Sequence, residues 1–270
     1  MLILGLWWRL AVAQTVLGSR LTRSYQTNNS GIASEVARNM RDPFALLDPY
    51  SVWETADEWL LEATKVIGDG YRASQTLSDK YVHQFAVAEG FRVPKHLERP
   101  AMNVAKVRSD LAYWGPLMIM EKTSQGMDPG VAKQSMLLRL QGVASNAARD
   151  GGRGVVIGAA KVASPKRVWR RITTSAEPCA FCAMLATKDF TGSTKGAVEF
   201  EAHPGCGCEA ELVTEDTVLS PLEKKWNQSY LDAAKAVDKQ GLPRNSKNIL
   251  HEMRLNSPTL YRDGVFPKKQ

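Results

Sequence analysis

A chain of 270 residues with 44% apolar content is long enough to bury a full core, as one large domain or two modest ones. The formal net charge of +7 is compatible with polyanion contact but equally common on proteins that bind no nucleic acid, so charge alone assigns no partner. All four cysteines fall between positions 179 and 208, which excludes a secretory disulfide framework and points to a reducing compartment where thiolates ligate metal or react.

Met1 to Leu17 is apolar, but no basic segment precedes it and Arg9 interrupts it, so it reads as an amphipathic helix that packs on protein rather than a signal peptide. It is also too short to span a bilayer, and no membrane contact is expected. Residues 26 to 32 are polar and contain Gly31, which predicts a loop. Ser51-Val52-Trp53-Glu54 has the form of a capping box. From there Trp53, Leu60, Ile67, Ser74 and Tyr81 recur every seven residues, predicting one face of a long helix, with a kink or break at Gly68 and Gly70.

A loop through Phe91 to Arg99 leads to Pro100, placed as the first turn of a helix toward Tyr113, and Gly115-Pro116 interrupts or ends it. Asp128-Pro129 opens a further helical pattern that reaches Gly151 and Gly152. After Gly151 the texture changes. Val155-Val156-Ile157 predicts a short strand, and Arg167 to Thr173 alternates as a half-buried one. Lys166, Arg167, Trp169, Arg170 and Arg171 form a basic stretch with an aromatic, suited to phosphate contact or to a solvated sheet edge kept basic against strand pairing.

Glu177-Pro178 predicts a helix entry that places Cys179 and Cys182 on one face of the opening turns. Val198 to Glu201 alternates as a strand and delivers His203 into a turn carrying Cys206 and Cys208. Ser220-Pro221-Leu222-Glu223 is a second capping box, opening a helix that bears Trp226, Tyr230, Ala233 and Val237. Gly241 to Ser246 breaks it, and Asn248 to Leu255 predicts a last short helix.

Cys179, Cys182, His203, Cys206 and Cys208 are five candidate ligands for a tetrahedral ion that takes four. Structural zinc is the first expectation, with the choice between Cys206 and Cys208 left open. The alternative is a nucleophile pair, Cys182 or Cys179 with His203 as base, since a thiol at a helix N-terminus has its thiolate favoured. His83, His96 and His251 sit in no motif and read as surface or satisfied core residues. There is no G-x-S-x-G elbow, Walker loop or Rossmann glycine set, and the zincin-like start at His251-Glu252 lacks its second histidine because position 255 is Leu.

Trp169-x-Arg171-x-Thr173, then Pro178 to Ala186 with its C-x-x-C, then His203-Pro204-x-Cys206-x-Cys208 together resemble the MuF-like head-morphogenesis domain of tailed bacteriophages. The variant it is most similar to is that of actinobacteriophages, where the domain follows a long helical region and the protein is often called a capsid maturation protease. The resemblance implies a minor head protein made in the host cytoplasm and carried into the virion head near the portal. It implies the portal protein and capsid or scaffold proteins as partners, with DNA contact in some relatives. The expectation is therefore an α+β chain: a helical region over 1–150, a small α/β MuF-like domain with the Cys/His cluster over 151–219, and a helical tail over 220–270. A free-standing zinc-ribbon nucleic-acid binder is the third reading, and the long helical region argues against it.

Overall fold

The computed structural model describes residues 15–188, 200, 202–203, 205–214 and 217–265. The expectations for Met1 to Leu17 (save its last three residues), the 198–201 strand (save Phe200), and the chain end after Val265 lie outside them.

Helix α1 (Val16–Asn39) starts where Thr15 caps the Gly18 amide at 2.9 Å. Thr15 itself donates its hydroxyl and its amide to Glu89, so the start of α1 is tied to the end of α3 (Val52–Ala88) and the two run antiparallel. The loop expected at 26–32 is instead the middle of α1. The reason is tertiary: Asn29 is buried, its amide donating to Glu209 (2.9 Å) and its carbonyl oxygen accepting from Ser74 (2.8 Å), while Gln26 donates to the Thr173 carbonyl. Polar residues that would favour a turn in isolation are satisfied in the helix by partners distant in sequence.

After the short α2 (Arg41–Leu46), α3 begins where predicted, without the predicted cap. The Ser51 hydroxyl donates to Asp48 rather than capping the helix, and Asp48 also accepts the Tyr50 amide. Leu60, Ile67, Ser74 and Tyr81 are buried as the seven-residue period requires, but Trp53 is 58% exposed and Trp59 takes the core position. No break occurs at the glycines. A Cβ on Gly70 would lie 2.2 Å from Val36 and 3.2 Å from Ala148, so this glycine, inside a continuous α3, lets the helix approach both α1 and the later segment that carries Ala148.

Helix α4 (Val104–Ala112) is capped by Asn103, later than Pro100 suggested, because the Pro100 carbonyl is engaged by Tyr71 and Gln75. Gly115-Pro116 does interrupt the helix, as a π turn (Tyr113–Leu117) packed on Trp59 before α5 (Met118–Ser124). Asp128 caps α6 (Pro129–Val162), which runs straight through Gly151, Gly152 and the expected strand at Val155-Val156-Ile157. These glycines are contact points: Cβ atoms there would sit 2.3 Å from the Tyr71 carbonyl oxygen and 2.4 Å from the Ser78 hydroxyl. The boundary drawn between residues 150 and 151 therefore falls inside a helix.

Gln141 bonds the Ala37 carbonyl, Ser145 that of Ala33, and Arg149 the Ser30 hydroxyl, a descending series that sets α6 antiparallel to α1. The resulting bundle of α1, α3 and α6 supports a two-stranded antiparallel ribbon, β1 (Val168–Ile172) and β2 (Glu209–Val213), in the register Arg170 opposite Glu211. Strand β1 is the one expected at 167–173; β2 was not anticipated. Helices α7 (Ala180–Lys188), α8 (Pro221–Lys239) and α9 (Ser246–Asn256) close a second core around Met184, Trp226, Val237 and Met253. The second capping box forms as predicted, Ser220 with Glu223. The chain is thus α+β, largely helical, with one small sheet among the described residues.

Candidate metal centre

Cys179 occupies the cap position of α7: its carbonyl accepts the Ala183 amide, and its sulfur accepts the Cys182 amide at 3.4 Å in the place a capping oxygen would take. The helix entry expected at Pro178 thus shifts to Ala180, whose amide is met by Asp263, itself held by Arg254. The C-x-x-C spacing then sets both sulfurs on the same first turn.

The second half arrives on a turn closed by the Cys206 amide donating to the His203 carbonyl at 2.9 Å, with Gly205 at φ +77°. The Gly205 amide donates to the Gly142 carbonyl of α6, and Gly207 is pressed against Thr174, where a Cβ would be 2.6 Å from the hydroxyl. Cys208 leads directly into β2.

These two halves converge. Cys179 Sγ is 3.0 Å from His203 Nε2, Cys182 Sγ is 3.8 Å from the same nitrogen and 3.4 Å from Cys206 Sγ. The donor atoms of Cys179, Cys182 and His203, and those of Cys182, Cys206 and Cys208, each lie within 4.8 Å of one another. Cys182 belongs to both groups. Thiolates on a tetrahedral zinc stand about 3.8 Å apart, given Zn–S bonds of about 2.3 Å, so the donor set fits a soft divalent cation. All five sequence-predicted ligands are brought together, with all four cysteines buried and free and His203 half-buried.

The crowded thiols shift one another in opposite directions. The hydrogen bond from Cys182, then those from His203 and the Cys182 amide, hold the Cys179 thiol down at about 4 against its burial. Hydrogen bonds from Cys182 and Cys208, with the charge of Arg153, likewise push Cys206 far down. Cys182 is driven up as the donor to its neighbours. Cys208 is favoured as a thiolate by its bond to Cys182, but its bond to Cys206 and its burial take it up to about 12. Protons shared among crowded sulfurs are what a dication would replace.

The basic stretch divides. Arg170 is fully buried, its Nε and Nη2 donating to Glu211 at 3.0 and 2.9 Å and its Nη1 to Glu223 at 2.6 Å. Arg171 is also buried, its guanidinium 3.8 Å over the Phe200 ring, and Trp169 packs half-buried on the same ring. Both guanidinium groups expected at a polyanion contact, those of Arg170 and Arg171, are enclosed by the fold. Lys166 is exposed, and Arg167 lies half-buried over Phe91.

What the sequence reading missed is the partner strand. Glu209 and Glu211 are both fully buried, and Glu209 is bonded to Arg149 (2.5 Å), Asn29 and Tyr25. Burial pushes the Glu209 carboxyl up, opposed by Arg153 and Arg149. The available signal was Glu209-Ala210-Glu211-Leu212-Val213 itself, an alternating strand whose charged face reads as solvent until Arg149, Arg153 and Arg170 are placed beneath it. His83 hydrogen-bonds the Asp79 and Pro94 carbonyls, and neither it nor His96 or His251 joins a metal-type group among the described residues.

A helical bundle carrying a small sheet and a buried Cys/His centre defines a class: an α+β protein with a site able to hold a metal ion. The chain belongs to the VG15 protein family, whose model matches residues 19–233 and so covers the bundle, both strands and the centre; it is a phage virion-associated protein. No curated protein and no solved structure matches it. No helix among the described residues is long and apolar enough to cross a membrane.

Proposed function

We propose that this chain is a minor head protein of the MuF-like type, acting in head morphogenesis near the portal of a tailed phage, and that its Cys/His centre holds a structural zinc. The observation that carries the reading is that Cys179, Cys182 and His203, and Cys182, Cys206 and Cys208, form two adjoining donor groups sharing Cys182, with all four cysteines buried, in a phage-family chain. Closed, cysteine-rich, water-excluded sites are the structural kind, since a catalytic zinc keeps a position open to water or substrate. The centre joins α7 to the entry of β2, and so ties the C-terminal helices to the long bundle. Portal and capsid or scaffold proteins are the partners this role calls for, and the virion head is its location. DNA contact, where it occurs, falls to Lys166 and the edge of Arg167 rather than to the enclosed arginines.

One observation favours a second reading, a capsid maturation protease. Cys179 at a helix N-terminus with His203 at 3.0 Å has the geometry of a nucleophile and its base. Against it stands access: Cys179 is only 6% exposed, and Cys182 shares the same histidine. The two readings exclude each other, because a histidine bound to metal is not a free base. A phage in which both Cys179 and Cys182 are replaced by Ala separates them. Loss of the protein from particles, with the major capsid protein still processed, supports the structural role. Normal incorporation with unprocessed capsid protein refutes it in favour of the protease, and normal heads made without this gene contradict both.

A further inference from the structure

Arg153 lies in the middle of α6, within the bundle, and is 1% exposed. Its side chain leaves the helix toward the Cys/His centre. Nε and Nη2 donate to the Cys208 carbonyl at 3.0 and 2.6 Å, and Nη2 also reaches the Cys206 carbonyl at 3.3 Å. The remaining nitrogen, Nη1, is held by Asn146 and Asp150, both at 2.7 Å, from the preceding turns of the same helix. The Phe200 ring covers the guanidinium at 4.4 Å from its carbon, and Glu209 stands 4.0 Å away.

This is a fixed fork. Asn146 and Asp150 set its angle on α6, so the positions of two main-chain carbonyls, 53 and 55 residues further on, are set by a bundle helix. Those carbonyls belong to two of the cysteines whose sulfurs group with Cys182. The Gly205 amide, bonded to the Gly142 carbonyl about three turns earlier on α6, fixes the other end of the same turn. A lysine would not reproduce the fork, because its three donors radiate from one nitrogen, whereas the guanidinium reaches the Cys206 and Cys208 carbonyls on one side and Asn146 and Asp150 on the other through separate, coplanar nitrogens.

We infer that Arg153 is the positioning residue of the metal centre, and that through it ion binding and the packing of the α1–α3–α6 bundle form one cooperative unit. This rests on the reading of the cluster as a metal site. Outer partners that orient ligands change metal affinity by about 10- to 100-fold when removed, which sets the expected effect. The ligating sulfurs would remain in the variant, and what is lost is the placement of the Cys206 to Cys208 turn.

The test uses the full chain with cobalt(II) as the probe, read by its thiolate charge-transfer absorption. Wild type should take up the ion, Arg153→Met should bind it at least about tenfold more weakly, and Arg153→Lys should fall between them. A second measurement needs no variant: hydrogen exchange of the wild type with metal and after chelation. Removing the metal should raise exchange in α6 around Arg153 and in β2 as well as in the Cys179–Cys208 segment. Equal cobalt affinity in all three proteins, or exchange changes confined to Cys179–Cys208, overturns the inference while leaving the metal site intact. A wild type that gives no cobalt–thiolate absorption overturns the metal reading itself, and this inference with it.

Discussion

Replacing Arg170 by Ala separates two accounts of the basic stretch. In the structure the guanidinium joins three elements. It bonds Glu211 of β2 twice and Glu223 of α8 once, while Glu211 also accepts the Thr22 hydroxyl of α1 at 2.7 Å. Glu223 is at the same time the reciprocal member of the α8 capping box, accepting the Ser220 amide at 2.7 Å. Removing Arg170 leaves two buried carboxylates facing a cavity without their cation. Breaking a buried ion pair from one side costs about 3–5 kcal/mol. For a chain of this size, that lowers the melting temperature by on the order of 10 °C. Replacing Arg170 by Met and Glu211 by Leu together should recover part of the loss, since the charge left unpaired, rather than the missing pair itself, dominates the penalty. Urea unfolding and thermal melting measure both variants, with Lys166→Ala as an exposed control expected within about 0.5 kcal/mol of wild type. An Arg170→Ala protein that melts like wild type while losing affinity for nucleic acid would place this side chain on a surface and refute the packing described.

Gly151→Ala should destabilise although the residue is helical, because the new methyl would meet the Tyr71 main chain; overpacking of about 1–3 kcal/mol exceeds the helix-propensity gain of about 1 kcal/mol. Gly158→Ala, with nothing within 4 Å, should instead stabilise by about 0.5–1 kcal/mol, and chemical denaturation of the pair checks both signs. The Asp48 carboxyl is held below its usual range first by the Tyr50 amide and then by the Ser51 hydroxyl. Its contribution is therefore present above the unfolded carboxylate value and lost as pH falls through the folded one. Melting curves from neutral to acid pH should lose that component in Asp48→Asn, and an unchanged acid limb would show that the Asp48 bonds to Tyr50 and Ser51 contribute no stability.

The parts of this fold that were legible in the sequence are those decided locally. Ser220 and Glu223 satisfy each other within one turn, and Asp128-Pro129 starts α6 by the same local means. The Cys/His centre was legible because cysteine confined to one segment has few other uses. The errors share a cause: partners far away in the chain. Residues 26–32 resemble a loop until Ser74 and Glu209 take up the polarity of Asn29. Val155-Val156-Ile157 resembles a strand because Gly151 and Gly152 look like a break, whereas they are where α6 meets α3. Arg170 and Glu211 each look solvent-facing alone, and only the antiparallel register that sets them opposite each other makes their burial intelligible. Arg153 carries no mark in the sequence that separates it from an arginine on a helix surface.

The most direct test of the central claim is metal analysis of the purified full chain, followed by thermal melting before and after a chelator. A structural zinc centre should give about one zinc per chain and cooperative loss of folded structure when it is withdrawn, because in such a site the binding free energy is folding free energy. A protein that contains no metal and still melts in a full cooperative transition, unmoved by chelator, would contradict it.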